Sequence, residues 1–185
     1  LLKDWLTNTQ PDAIIHCAAM VNVDMCEDRP LEAKKLHVYS TEVISEFIDK
    51  KDGKLIYIST DSVYDGNSIS PHQETDNPSP GNYYSKTKLF GEASVNKIKN
   101  GIILRTNILG WSSTLQKSFF EWIIINLSKK TTMNLFADVL FSPIHVLHLS
   151  EIVNIFLTSS ASGIFNCGSR DYVSKYKFGI KVAEI

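Results

Sequence analysis

Cysteine is scarce in this 185-residue chain: Cys17, Cys26 and Cys167 are an odd number, widely spaced and without a CxxC pair. That excludes a disulfide framework and fits a reduced, cytosolic setting in which thiols are buried, although Cys17 and Cys26 could meet if the intervening loop folded back. No charge of one sign dominates. Nineteen basic residues stand against 20 acidic ones, net −1, so no basic excess exists to neutralise a phosphate backbone and nucleic acid is not an expected partner. Long apolar runs are also missing. Residues 119–127 and 144–149 are interrupted by Glu121, Asn126, His145 and His148, far short of the roughly 20 residues that span a bilayer, so no membrane is expected. Residues 1–6 carry Lys3 and Asp4 and do not read as a secretory leader. The chain lacks an initiator Met, opens in a helix-like stretch (1–6) and closes in another (173–185), and reads as an excerpt of a longer protein cut on both sides. Finally, no Gly-rich turn of the form GxGxxG or GxxGxxG occurs.

What is present is an ordinary globular composition, 43% hydrophobic, 21% charged and 10% aromatic, sized for one domain or one and a half. Apolar runs recur at Ala13-Ile14-Ile15-His16-Cys17, Lys54-Leu55-Ile56-Tyr57-Ile58, Gly101-Ile102-Ile103-Leu104-Arg105 and Gly163-Ile164-Phe165-Asn166-Cys167. They are continuous, not alternating, as in strands buried on both faces of a parallel sheet. Between them, residues 31–51, 84–99, 115–128 and 149–158 have helical spacing. Alternating strand and helix predicts a doubly wound, Rossmann-type α/β fold. Residues 1–105 are expected to form part of a dinucleotide-binding domain. Residues 106–185 are expected to contribute to a small C-terminal substrate lobe and to the last strand. The stretch 66–82, with Pro71, Pro78 and Pro80, reads as a long surface loop.

In such sheets ligands bind beyond the carboxyl ends of the strands. The first strand runs into Ala18, Ala19 and Met20, small enough at the first two positions for close approach to the backbone; the second ends in Ser59-Thr60-Asp61-Ser62, the third in Arg105-Thr106-Asn107. Tyr84 and Lys88 stand four apart at the start of a predicted helix, which puts phenol and ammonium on one face. A cation there is expected to lower the Tyr pKa and make the phenol a usable proton donor or acceptor. The pair alone is a weak signal. Thr60, at the end of a strand, adds a hydroxyl that could share a carbonyl oxygen with Tyr84.

These motifs in this order resemble the extended short-chain dehydrogenases/reductases, and within them the dTDP-4-dehydrorhamnose reductases. The likeness runs from Pro11-Asp12 through Val23-Asp24-Met25-Cys26-Glu27, residues 58–66, Gln73-Glu74-Thr75-Asp76, residues 84–92, Leu104-Arg105-Thr106, Ser142-Pro143 and residues 163–168. It implies an NADPH- or NADH-dependent reduction of a 4-keto nucleotide sugar. Thr60, Tyr84 and Lys88 would be catalytic; Ala18, Ala19, Met20, Ser59, Tyr84 and Lys88 would meet the cofactor; Val21, Thr60, Asp61, Asn107 and Ile108 would meet the sugar. In that scheme Tyr84 protonates the ketone, while Lys88 holds the nicotinamide ribose and depresses the Tyr84 pKa.

Three positions depart from the reductase pattern: His37 stands for Asn, Val21 for Thr and Ile108 for an aromatic residue. They leave the fold alone and shift the expected sugar away from the rhamnose precursor. The Gly-rich turn is expected about fifty residues upstream of this excerpt. A noncatalytic regulatory or binding subunit of the same fold is the alternative, as is a nucleotide-sugar epimerase or dehydratase. The dehydratase is disfavoured because Asp61-Ser62 offers a single carboxylate after the Thr. His145 and His148 have no third ligand at a recognisable spacing, so no metal is expected. Phe119, Phe120 and Trp122, with Ile123 to Ile125, read as a helix buried between lobes or at a homodimer contact.

Overall fold

The computed structural model describes residues 1–66, 70–112 and 117–185. Its elements run α1 (Leu2–Thr9), β1 (Ala13–His16), α2 (Val23–Asp28), α3 (Pro30–Lys34), a π-helical turn (Lys35–Tyr39), α4 (Ser40–Lys50), β2 (Lys54–Thr60), a 3₁₀ turn (Asp61–Val63), α5 (Tyr83–Val95) and β3 (Gly101–Thr106). There follow β4 (Ile108–Leu109), α6 (Phe119–Ser128), β5 (Leu140–Phe141), β6 (Ile144–His145), α7 (Val146–Thr158), β7 (Gly163–Cys167), β8 (Val173–Ser174) and α8 (Lys175–Ala183). Four strands form one sheet in the order β1-β2-β3-β7, and β1 runs parallel to β2 with Ala13 opposite Lys54 and His16 opposite Tyr57. All four expected strands are present; β2 and β3 extend one or two residues further, to Thr60 and Thr106.

The chain divides into two compact units, residues 1–105 with 152–166, and residues 106–151 with 167–185. In the first, Leu6, Ile44, Ile48, Leu55, Tyr57, Val95 and Ile103 form one buried cluster that cements α1, α4 and α5 to the sheet. In the second, β4 pairs with β6 and β5 with β8, and Phe119 of α6 meets Phe141 and Phe178 at ring separations of 6.2 and 6.0 Å. Ile123 is fully buried while Trp122 stays 41% exposed, so the aromatic helix buries one stripe in its own unit.

Helix ends follow from local chemistry. Asn82 caps α5 by accepting the Ser85 N–H at 2.9 Å, and the Glu27 carboxylate takes the Tyr83 N–H at 2.7 Å. The helix stops at Val95, short of the expected 99, because Lys97 N–H turns back to Ser94 in a tightened turn. The C-terminal stretch is not one helix from 173: Val173–Ser174 pairs in a sheet, and Ser174 then caps α8. Ser118 starts α6 in a capping box with Glu121, and Leu115 of the expected helix lies outside the described residues. Residues 67–69 of the expected loop do too; 70–82 contain no helix or strand.

The predicted helix 31–51 carries a feature that periodicity does not show. Ser40 Oγ donates to the Leu36 carbonyl at 2.5 Å and Thr41 Oγ1 to the His37 carbonyl at 2.7 Å. Both hydroxyls occupy carbonyls that an α-helix would reserve for the amides four residues on, and the backbone widens into the π-helical turn there.

Candidate active site

The carboxyl ends of β1 and β2 and the first turns of α5 bring the candidate residues of the first unit together. Thr60, the last residue of β2, accepts the Ser62 N–H at 3.2 Å and so starts the 3₁₀ turn; its hydroxyl lies near the Tyr84 phenol and pulls that group's pKa down. Lys88, one turn along α5 from Tyr84, is 1% exposed. Its Nζ donates to the Ile58 carbonyl at 2.7 Å and sits 4.0 Å from the centre of the Tyr57 ring, a cation held by a carbonyl and a π face. No carboxylate pairs with it among the described residues.

Burial dominates the electrostatics. It pushes the Tyr84 phenol up to about 12, against the opposing pull of the Thr60 hydroxyl, with Asp61 adding to the rise. The net shift is upward, against the expected lowering, because burial outweighs the charges and hydroxyl around the phenol, which keeps its proton at neutral pH. Burial lowers Lys88 itself to about 8, although Glu92 works the other way. His16 and His37 are both lowered to about 4, first by burial and then by the Lys88 charge. Two neutral imidazoles thus flank one cation.

Neither imidazole was assigned a role from spacing, and both are built in by hydrogen bonds. His16 Nε2 lies 3.1 Å from Thr41 Oγ1 and 3.3 Å from Ser40 Oγ. His37 Nε2 is 2.8 Å from the Met20 backbone N, and its Nδ1 is 2.7 Å from Thr87 Oγ1. Thr87 Oγ1 in turn lies 3.0 and 2.9 Å from the carbonyls of Tyr83 and Tyr84. Gly91 lets α5 approach this turn: a Cβ there would stand 2.5 Å from both the His37 carbonyl and the Tyr57 hydroxyl.

Other candidates fall elsewhere. Ser59 is buried and donates to Glu92 at 2.5 Å, so its side chain serves a different network. Glu92 takes Arg105 Nη2 at 2.7 Å and Nε at 3.2 Å, and Arg105 Nη1 reaches the Tyr64 hydroxyl at 2.7 Å. Ala18 is exposed, Ala19 and Met20 are half-buried, and Val21 is 58% exposed. Asp61 borders the Thr60 hydroxyl at 3.4 Å. Asn107 and Ile108 belong to the second unit. All three thiols are free; Cys17 is exposed, against the expectation that it is buried, because β1 ends at His16 and the chain turns into the open rim there. His145 and His148 face each other at 6.1 Å, and no group of three metal-ligating side chains occurs among the described residues. No described helix is long and apolar enough to cross a membrane.

A parallel sheet with a Thr at one strand end and a Tyr-x-x-x-Lys helix beside it defines a Rossmann-type fold of the extended short-chain dehydrogenase/reductase kind. The chain belongs to the RmlD substrate binding domain family, which matches residues 1–185. A Haloferax volcanii protein named probable low-salt glycan biosynthesis reductase Agl14 is 30% identical over 179 residues, covering 94% of this chain and 59% of that protein. Methionine adenosyltransferase 2 subunit beta of Rattus norvegicus is 31% identical over 186 residues, covering 95% of this chain and 54% of its own length. The crystal structure of dTDP-4-dehydrorhamnose reductase from Bacillus anthracis in complex with NADP superposes with a TM-score of 0.90 at 26% identity, covering 99% of this chain and 65% of that one. The chain therefore spans between half and two thirds of the length of these relatives.

Proposed function

We propose that the protein is an NAD(P)H-dependent reductase of a 4-keto nucleotide sugar. The observation that carries this reading is the half-buried Tyr84 phenol beside the Thr60 hydroxyl and one helical turn from Lys88. A phenol raised to about 12 arrives protonated, as a general acid for a ketone must. Tyr84 gives its Oη proton to the ketone oxygen as negative charge develops there, and the Thr60 hydroxyl hydrogen-bonds the same oxygen. The donor set suits a nicotinamide nucleoside. An ammonium has three N–H donors, and Ile58 takes one from Lys88, leaving the others for ribose hydroxyls. Ala18 and Ala19, without bulk beyond Cβ, allow a flat ring close to the backbone. When bound, the nicotinamide supplies the hydride, and the protein supplies orientation and the proton. The B. anthracis relative's complex with NADP supports the choice of cofactor.

On this reading residues 1–105 serve the dinucleotide, and 106–185 contribute to the sugar lobe and the last strand. Asp61 and Asn107 meet the sugar, the protein works in the cytoplasm, and homodimerisation is part of the proposal. Val21 and Ile108 lack a hydroxyl and an aromatic face at the sugar, each worth on the order of 1 kcal/mol. The preferred substrate is then a 4-keto sugar nucleotide other than dTDP-4-dehydrorhamnose, or that compound used several-fold less well than by family members with Thr and an aromatic residue at these positions. Steady-state kinetics of the intact protein on a panel of keto-sugar nucleotides, with NADPH and NADH, tests both points. Absence of turnover on every member refutes the enzyme, and full efficiency on dTDP-4-dehydrorhamnose refutes the shift.

The second reading is a noncatalytic subunit of the same fold, favoured by the 31% identity to a protein named as a subunit of methionine adenosyltransferase. It requires no proton donor, so it predicts that Tyr84→Phe leaves the protein's function intact.

A further inference from the structure

His37 is the buried group that touches both halves of the site. Its Nε2 lies 2.8 Å from the Met20 backbone N, and a backbone N–H can only donate, so Nε2 is a bare acceptor. A neutral imidazole with a bare Nε2 carries its proton on Nδ1. That proton points at Thr87 Oγ1, 2.7 Å away. The Thr87 hydroxyl then gives its own proton to the carbonyl of Tyr83 or Tyr84, at 3.0 and 2.9 Å. Every donor in the series meets an acceptor, and the series is complete for one tautomer of one protonation state. The ring is fully buried and stands edge-on to the Tyr84 ring, centroids 5.7 Å apart at 84°. The π-helical turn carries it into this place.

We propose that neutral, Nδ1-protonated His37 is a positioning residue that fixes the distance between the Ala18–Ala19–Met20 turn and the first turn of α5, and thereby between the dinucleotide and the Tyr84 phenol. This rests on the reductase reading. Its two hydrogen bonds hold different things. The Met20 bond orders the turn against which the cofactor lies; the Thr87 bond orders the helix turn that carries the proton donor.

Two substitutions separate them. In His37→Gln the side-chain carbonyl can stand near the Nε2 position and accept from Met20, with no donor left for Thr87. In His37→Asn the amide NH₂ can stand near the Nδ1 position and donate to Thr87, with no acceptor left for Met20. In the intact protein, His37→Asn is expected to weaken NADPH and NADH binding about tenfold with near-native turnover at saturation. His37→Gln is expected to keep affinity and lose about tenfold in turnover, the scale of one lost hydrogen bond. His37→Leu loses both; should it fail to fold, the Asn and Gln variants carry the test. Losses of the same pattern in Asn and Gln, or none in either, overturn the proposal.

A second measurement needs no activity. The ¹⁵N resonances of His37 should report the Nδ1–H tautomer, opposite to the preference of free histidine, and the Met20 amide should exchange slowly in wild type and Gln but rapidly in Asn. An Nε2–H tautomer, or an unprotected Met20 amide in wild type, overturns the bridge. If the intact protein binds neither dinucleotide, the reductase reading fails, while tautomer and exchange still decide whether the bridge exists.

Discussion

Helix α5 carries two buried charges one turn apart, and they are handled in opposite ways. Glu92 is gripped by Arg105 at 2.7 Å and by Ser59 at 2.5 Å, and the arginine is held again by Tyr64. Lys88 has a strand carbonyl and an aromatic face but, among the described residues, no paired carboxylate. A buried ion pair stripped of one partner leaves an uncompensated charge, which is what makes such pairs costly to break. A buried cation already without a partner carries that cost from the start, and its lowered pKa records it. The lower half of α5 is arranged for architecture; the upper half keeps a strained charge where a ligand's acceptors would relieve it.

The largest effect that can break this comparison is expected from Lys88→Met. Turnover should fall further than in Tyr84→Phe, and NADPH should bind more weakly. Yet thermal unfolding should show no loss of stability, and a gain of roughly 1–3 kcal/mol, because an uncompensated cation has gone. A destabilised Met variant would refute the view that Lys88 is held at a cost. Tyr84→Phe comes next, with turnover reduced roughly 10²–10⁴-fold while fold and dinucleotide affinity persist; an active Phe variant removes Tyr84 as proton donor.

Arg105→Met should behave in reverse, losing about 3–5 kcal/mol of stability in denaturant titration because Glu92 and Ser59 are left buried around an unpaired charge. Gly91→Ala should cost about 1–3 kcal/mol, since its methyl meets the His37 carbonyl and the Tyr57 hydroxyl at 2.5 Å. Moving α5 outward to relieve that contact would also stretch the His37–Thr87 bond.

A separate effect is in the pH dependence of stability. Lys88 falls from the usual lysine value to about 8 on folding, so between about 8 and 10.5 the unfolded chain holds the extra proton and stability rises with pH. His16 and His37, at about 4 when folded, contribute stability that is complete above about 6.5 and lost as pH falls through 4. Chemical denaturation across pH 4–10 on wild type and Lys88→Met checks both limbs: the alkaline rise should vanish in the variant and the acid fall should remain.

Much of the fold is legible in the chain because local rules and the sheet agree. Four continuous apolar runs are four strands, and the boundaries move by a residue or two because caps such as Asn82 and Ser174 decide where helices begin. Thr60 and Tyr84 were readable as a pair, since a strand end and a helix start fix where such side chains go. The π-helical turn was not, because it depends on which carbonyls Ser40 and Thr41 choose, and both choices look the same in a 3.6-residue period.

The sequence by itself determined the alternation of strand and helix, the placing of hydroxyls at strand ends and the four-residue spacing of Tyr84 and Lys88, all of which are short-range properties of the chain. Tertiary structure alone decided the chemistry of those groups. Burial raised the Tyr84 pKa where sequence proximity to a lysine argued for a fall. Packing of Gly91 against the widened turn brought His37 between Met20 and Thr87, residues distant in the chain. The reason is physical: spacing sets which groups can share a face, but solvation and hydrogen-bond partners, which set protonation and tautomer, are supplied by elements that meet only when the sheet is assembled.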